Sequence, residues 1–255
     1  MFKRYVAIGD STTEGLDDPD GNGGYRGWAD RLAGHVAAAY PGLEYANLAV
    51  RGRMTREILD EQFPAALGLE PDLVTAVAGM NDLLRPRFDA RAIVADIEHM
   101  HAAFIDAGAT VATFTLPAPG PGMPLARLIS PRVERFNRAL RASARRTGAC
   151  VLDLGAMPSA SDPRLWSADK LHANSAGHER ISRGLAWVLD LPGADEAWRE
   201  PLPPVPRTPW LEAVTADLAW ARTHLVPWIG RRVRGESSGD GLVAKRPVPL
   251  PVSVD

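Results

Sequence analysis

Five short apolar runs punctuate the chain: Tyr5–Gly9, Tyr45–Val50, Leu73–Gly79, Thr110–Leu116 and Cys150–Leu154. Several are apolar at both alternating positions, the pattern of strands covered on both faces. Between them the period turns helical. In "AIVADIEHMHAAFIDAG", Ile93, Ile97, Met100 and Phe104 share one face, and Gly108 marks the stop. In "SPRVERFNRALRASARRTG", Ser130 is placed to cap a helix with Pro131 at its first position. Val133, Phe136, Leu140 and Ala144 then form one stripe, and the arginines take the other face, read as a solvated face. A further helix is expected from about Asn174 to Leu189, with Ile181, Leu185 and Val188 in register. Strands alternating with helices predict a doubly wound α/β fold on a five-stranded parallel sheet. Such sheets bind ligands beyond the carboxyl ends of their strands.

Past about Leu191 the pattern changes. "EPLPPVPRTP" reads as an extended linker. "WLEAVTADLAWARTHLVPWIG" predicts one amphipathic helix with Leu211, Val214, Leu218 and Leu225 on its apolar face. The last residues are basic, then Gly/Ser-rich, then proline-rich. This segment is too small to form its own core. It is expected to pack on the main domain or on a second subunit, giving a homodimer through the C-terminal helix. Trp187, Trp198, Trp210, Trp220 and Trp228 gather late in the chain and read as core or docking residues.

Composition narrows the class. The chain has 255 residues, 45% hydrophobic and 24% charged, as soluble globular proteins do. With a net charge of −2, no global basicity points to nucleic acid. Cys150 is the single cysteine, so no internal disulfide forms, and its run "ACVLDL" marks it as a small buried hydrophobe. The apolar run near the start, Tyr5–Gly9, is shorter than the roughly 7–15 residues of a signal-peptide core. No stretch approaches the roughly 20 apolar residues of a membrane span. The expectation is a cytoplasmic protein.

Candidate chemistry collects where the strands end. "YVAIGDSTTEG" leaves a strand and presents Ser11 past a turn; Ser and Asp are also common turn and cap residues. In "NLAVRGRMT", Gly52 follows Arg51, and a glycine lets the backbone approach a ligand or simply makes a turn. In "AVAGMNDLL", Asn81 offers a side-chain N–H₂ beside a glycine turn, or caps it. In "SADKLHANSAGHERIS", Asp169 and His172 are three apart before a helix that Asn174 can cap. A histidine base needs an acceptor on one nitrogen to fix its tautomer, and Asp-x-x-His supplies it locally. Asp10 and Asp82 read as braces for the two turns.

Each block is weak alone. Taken in order as Ser, Gly, Asn and Asp/His at strand ends of one sheet, they resemble the GDSL or SGNH hydrolase family. The resemblance covers roughly residues 5 to 190 and is strongest at "GDS", "GMND" and "DKLH". It implies a flavodoxin-like three-layer α/β/α sandwich and cofactor-free hydrolysis of a small-molecule carboxylic ester through an acyl-serine. It also implies Ser11 as nucleophile, Asp169 and His172 as the pair that activates it, and Ser11, Gly52 and Asn81 as oxyanion donors. Thr12 stands where the family name has leucine, a change on the pocket's rim. The chain then divides into a hydrolase domain, residues 1–192, and an appendage, residues 193–255. An acyltransferase or deacetylase acting on a sugar or metabolite fits the same scaffold. A catalytically silent flavodoxin-like binding module is the alternative from another class.

Two signals point elsewhere and are set aside. "DPDGNG" matches the first half of a calcium loop with Asp18, Asp20, Asn22 and Gly23, but Ala29 stands where the bidentate glutamate belongs. His99 and His101 lie on different helix faces and cannot chelate together. His178, six residues past His172, is the one rival base and reads as a capping or packing residue.

Overall fold

The computed structural model describes residues 1–119, 126–205, 212, 215, 218–227 and 238–253. The sheet holds six strands in the order β5-β4-β3-β1-β2-β6. In chain order the elements are β1 (Arg4–Gly9), α1 (Ser11–Glu14), α2 (Gly27–Ala39), β2 (Glu44–Asn47), α3 (Thr55–Glu57), α4 (Phe63–Leu67), β3 (Leu73–Val77), α5 (Met80–Leu83), α6 (Ala90–Asp106), β4 (Thr110–Phe114), α7 (Ala126–Thr147), β5 (Cys150–Leu152), α8 (Ser175–Val188) and β6 (Arg246–Pro251). A π-helical turn, Ile58–Gln62, joins α3 to α4.

The first five strands are parallel, with Tyr5 opposite both Tyr45 and Leu73, Leu73 opposite Thr110, and Ala112 opposite Cys150. Alternate residues feed two cores, as strand pleating requires. Tyr5, Ala7, Leu73, Ala112 and Leu152 pack with Trp28, Leu32 and Val36 of α2 and Leu185 of α8. Val6, Ile8, Val74, Ala76 and Val111 pack with Ile97, Met100 and Phe104 of α6 and Phe136 and Leu140 of α7. This is the expected α/β/α sandwich with one strand more than the sequence pattern gives.

The sixth strand corrects that reading. β6 runs antiparallel to β2 at the sheet's edge. Its sequence RPVPLP looks like a linker because every second residue is proline. The Val252 N–H bonds to the Leu43 carbonyl. Even-numbered positions therefore turn their nitrogens toward β2. Pro247, Pro249 and Pro251 hold the outward-facing nitrogens, where a missing N–H costs no ladder bond. The same prolines leave no donors on which another chain could build.

Element ends differ from the sequence pattern in two further ways. The apolar runs overshoot the carboxyl ends of β2 to β5. Leu48, Ala49, Val50, Ala78, Leu116 and Leu154 stay buried after the ladder has ended, so apolarity continues where strand geometry does not. α7 begins at Ala126, one turn before Ser130, and carries Pro131 inside it. Ile129 packs on the second core and extends the Val133–Phe136–Leu140 stripe by a turn. That burial outweighs the single helical bond a proline forgoes so near the start. The expected cap of α8 is present at Asn174, and α6 is capped by Asp89, which the sequence reading did not single out; each side chain accepts two backbone N–H groups.

Of the expected tail helix, residues 212, 215 and 218–227 are described. Leu218 of the expected apolar face is exposed, whereas Trp220 is buried. Trp210, Trp228, Leu211, Val214 and the side chain of Leu225 lie outside the described residues. Trp198 is buried in the first core and its ring lies 5.8 Å from that of Trp187. Among the described residues no helix is long and apolar enough to cross a membrane.

Because β6 covers the β2 edge, a chain ending at residue 241 should lose stability and associate. A loss of about 2 kcal/mol would lower Tm by roughly 4–8 °C. Calorimetry and light scattering against the full chain check this; an unchanged Tm and mass would show that β6 is dispensable.

Candidate active site

The five residues singled out at strand ends converge on one rim of the sheet. Ser11 begins α1 directly after β1. Asp10 caps that short helix, its side chain accepting the Thr12 N–H and its carbonyl accepting from Thr13 and Glu14. His172 follows β5 and reaches back across the rim, its Nε2 2.8 Å from Ser11 Oγ. Its Nδ1 lies 2.6 Å from Asp169 Oδ2. With Nδ1–H donated to the carboxylate, Nε2 is left to accept the serine hydroxyl.

Asp169 divides its two oxygens between two tasks. Oδ1 accepts the Ser167 hydroxyl at 2.6 Å, the Leu171 N–H at 2.8 Å and the His172 N–H at 3.0 Å. Oδ2 is thereby aimed at the imidazole. Burial alone would push the Asp169 carboxyl up. The bond and charge of His172, with the backbone and Ser167 donors, outweigh it and hold the group well below the usual carboxylate range. Burial would likewise push His172 down, but the Asp169 bond and charge, helped by Asp17 and Asp10, raise it above an ordinary histidine.

Gly52 sits in a turn at φ 80°, a left-handed conformation that suits glycine. Its neighbours fix it. Glu14 of α1 accepts the Arg51 backbone N–H at 2.8 Å and pairs with the Arg51 guanidinium. That guanidinium lies over the Tyr25 ring. On the other side, the Arg53 carbonyl accepts the Asn81 side-chain amide at 3.0 Å. The second Asn81 amide contact is longer, 3.3 Å to Asp10 Oδ2. Among the described residues the N–H groups of Ser11 and Gly52 have no acceptor. Asn81 follows Gly79, whose φ of 107° and whose Cα pressed against the Phe136 ring leave no room for a side chain. Asp82 ties the two loops together by accepting both the N–H and the hydroxyl of Thr55 at 2.9 Å.

Several bracing residues escaped the sequence reading. Gln62 closes a two-bond clamp on Gly9, accepting its N–H at 2.8 Å and donating to its carbonyl at 2.9 Å. The signal was a polar residue on an otherwise buried helical stripe, Ile58–Gln62–Ala66. Glu14 and Ser167 carried no comparable signal. An apolar cleft of about 230 Å³ opens beside the site, lined by Met80, Leu84, Pro117, Val133, Trp166 and Leu171. A smaller hollow that shares Met80, Pro117, Trp166 and Leu171 reaches Thr12.

The residues set aside also find places. Asp18 accepts the Gly27 N–H and pairs with Arg31, which also binds Glu179. Burial raises it, but Arg31 prevails and its pKa is held down at about 2. Asp20 closes a turn on the N–H groups of Asn22 and Gly24. Asp17 lies close enough to Asp169 and His172 to form a three-residue cluster of possible metal ligands, but Asp169 and His172 are already committed to each other. His178 is buried, with Nδ1 accepting the Trp28 N–H at 3.0 Å and Nε2 donating to the Leu16 carbonyl at 3.2 Å. It is a packing residue. His99 is exposed against Phe63, whereas His101 is buried with Nε2 3.4 Å from the Ala76 carbonyl. Cys150 is a free, half-buried thiol, raised by burial.

A flavodoxin-like sheet with serine, glycine, asparagine and an Asp–His pair beyond strands one, two, three and five defines an SGNH-type hydrolase scaffold. Residues 7–180 match the GDSL-like Lipase/Acylhydrolase family, and the chain belongs to it; at the family level it is a carboxylic ester hydrolase. Solved structures share the fold. An α/β hydrolase enzyme, LAE5, from the metagenome of Lake Arreo is 22% identical, with a TM-score of 0.60 over 74% of this chain and 95% of that one. TesA is 20% identical, with a TM-score of 0.61 over 73% and 98%. An acetyl-xylooligosaccharide esterase variant from Geobacillus is 18% identical, with a TM-score of 0.60 over 76% and 97%. A search of curated proteins gave no match.

The buried histidines set an acid limit on stability. Burial lowers both His101 and His178 to about 4 in the folded chain. Unfolded, each takes up a proton below about 6.5. Stability is therefore full above that pH and falls as pH drops toward 4, by about 1.4 kcal/mol per pH unit per histidine. Glutamine can both accept from Trp28 and donate to Leu16. In urea titrations, His178→Gln should flatten the pH 4–6.5 slope by about one proton; an unchanged slope would mean that His178 is charged in the fold.

Proposed function

We propose that this chain is a cytoplasmic, cofactor-free serine esterase that works through an acyl-serine on a small-molecule ester. The observation that carries the reading is the unbroken chain from Asp169 Oδ2 through His172 to Ser11 Oγ, with links of 2.6 and 2.8 Å. The Ser11 proton passes to Nε2 as Oγ attacks the ester carbonyl carbon. The oxyanion that develops is received by the N–H groups of Ser11 and Gly52 and by Asn81 Nδ2. Its bond to the Arg53 carbonyl holds the amide in place, and the weaker contact to Asp10 is the one exchanged for the oxyanion. His172 then gives its proton to the leaving alkoxide. In the second half it takes a proton from water, whose oxygen attacks the acyl carbon, and returns that proton to Ser11. Every proton moves through His172, so the scheme calls on no metal or cofactor.

The apolar lining of the cleft beside Met80 and Leu171 supports an apolar acyl or alcohol group on the substrate. The free thiol of Cys150 suits a reducing compartment. Residues 193–255 serve the hydrolase domain, residues 1–192, as an appendage, a reading supported by Trp198 in its core and β6 in its sheet. Exposed Leu218 and Val226 support assembly of two copies through the tail helix.

A fluorophosphonate should label the wild-type chain once, and Ser11→Ala should abolish both the label and ester turnover. The loss should approach the roughly 10⁶-fold seen when a serine hydrolase loses its nucleophile. Turnover persisting in folded Ser11→Ala would dismiss the scheme.

Asn81 acts on charge that appears only in the transition state. Asn81→Ala should lower kcat by about 10²–10³ and leave KM nearly unchanged. A destabilised variant with normal kcat would confine Asn81 to holding the Arg53 loop.

A further inference from the structure

Three residues of the C-terminal segment, Trp220, Gly239 and Lys245, tie it to the loops of the rim that carries Ser11. Buried Trp220 donates its indole N–H to the Asp169 backbone carbonyl at 2.9 Å, and the Lys170 ammonium lies 5.6 Å from the centre of its ring. Gly239 is buried with its Cα against the Arg51 carbonyl, so close that a Cβ there would collide with it. The Lys245 ammonium binds the carbonyls of Tyr25 and Arg26 and the Asp30 carboxylate. These contacts fall on the loop of the acid, on the loop of the oxyanion glycine, and on the tyrosine under Arg51.

The acid loop needs such a clamp. Lys170, between Asp169 and His172, has φ 59°, a left-handed conformation that non-glycine residues adopt at a cost and keep only when their surroundings enforce it. From inside the loop, the Asp169 side chain bonds to Leu171 and His172. From outside, Trp220 holds the carbonyl that precedes the strained residue and lays its ring on the side chain of that residue. Both contacts bear on the peptide unit that aims Oδ2 at His172.

We propose that Trp220 is a positioning residue for the reaction, acting through the Asp169 carbonyl, and that the Gly239 turn does the same for the Gly52 loop through Arg51. The C-terminal segment is thereby part of the catalytic machinery. This rests on the serine-esterase reading.

Without the indole N–H, the Asp169–His172 pair loosens. His172 then loses part of the support that raises it, while Asp17 and Asp10 still face it and His178 stays neutral. A fixed group displaced by a fraction of an ångström costs rate more than binding. In the full chain, Trp220→Phe keeps an apolar ring and removes the donor. It should lower kcat by about 10- to 100-fold with KM little changed, move the acidic limb of kcat/KM to lower pH, and weaken the downfield proton resonance of the His172–Asp169 bond. Gly239→Ala should lower kcat and leave that limb where it is. Wild-type kcat and an unmoved acidic limb in folded Trp220→Phe would overturn the role of Trp220. Should Trp220→Phe not fold, Gly239→Ala decides, and normal kcat there overturns the proposal. Fluorophosphonate labelling of the wild-type chain separates the two levels. An unlabelled, inactive wild type removes the esterase reading itself, whereas a labelled, active wild type matched by its variants removes only the role of the tail.

Discussion

Parallel strands can be joined only by crossovers, and that constraint organises everything else in this protein. Each crossover returns the chain to the same end of the sheet, so the carboxyl ends of β1 to β5 share one rim. Residues far apart in sequence become neighbours there without any element bending toward another. Ser11 and His172 meet at 2.8 Å across 161 positions for this reason. The interior strands are buried on both faces and can carry little chemistry of their own. The chemistry is confined to the turns in which each strand gives out.

Confinement to turns creates a second requirement. Turn backbone is softer than ladder backbone, and the rim must hold its groups to a fraction of an ångström. Polar side chains do the holding. Gln62 clamps the residue two before Ser11, Glu14 links the helix that Ser11 opens to the loop of Gly52, and Asp82 links the loop of Asn81 to α3. None of these belongs to the proposed catalytic set, yet each fixes a group that does. Buried polar atoms are costly unless paired, and here the pairing partners are the backbone atoms of the turns. The π-helical turn has the same logic: an extra residue in the helical stretch lets Gln62 face the end of β1.

This division of labour explains what the sequence disclosed. Tyr5–Gly9 and Leu73–Gly79 announce strands because burial on both faces demands unbroken apolar runs. Ser11 and Asn81 stand out because they follow the ends of those runs, and Asp169 and His172 because they pair at a three-residue spacing just before a helix cap. The braces stayed hidden for a physical reason. Glu14 is an ordinary residue of a short helix until its distant partner is known, and no local pattern encodes a partner 37 residues away; Ser167 bonds Asp169 only two positions on, but a serine beside an aspartate is too common in loops to signal a brace. β6 was obscured by its own protection: the prolines that make it a safe edge remove the composition of a strand. Trp220 was visible only as one tryptophan among several, since its partner is a backbone carbonyl with no sequence signature.

His172 and His178 show how the rim assigns chemistry by environment rather than residue type. They lie six positions apart and both are largely buried. Around His178 the partners are one N–H and one carbonyl, neutral groups that satisfy a neutral ring and give a proton no compensation for lost water, so its pKa falls to about 4. Around His172 stands a carboxylate on Nδ1, with Asp17 and Asp10 behind it, and these charges outweigh the same loss of water. One ring is locked in a single protonation state and becomes a spacer between α2, α8 and the loop at Leu16. The other is held where taking and returning a proton is inexpensive, with a hydroxyl on its free nitrogen. Exchanging the two residues' surroundings would exchange their protonation behaviour, because the difference between the packing residue and the proposed base lies in which atoms the fold sets against the ring.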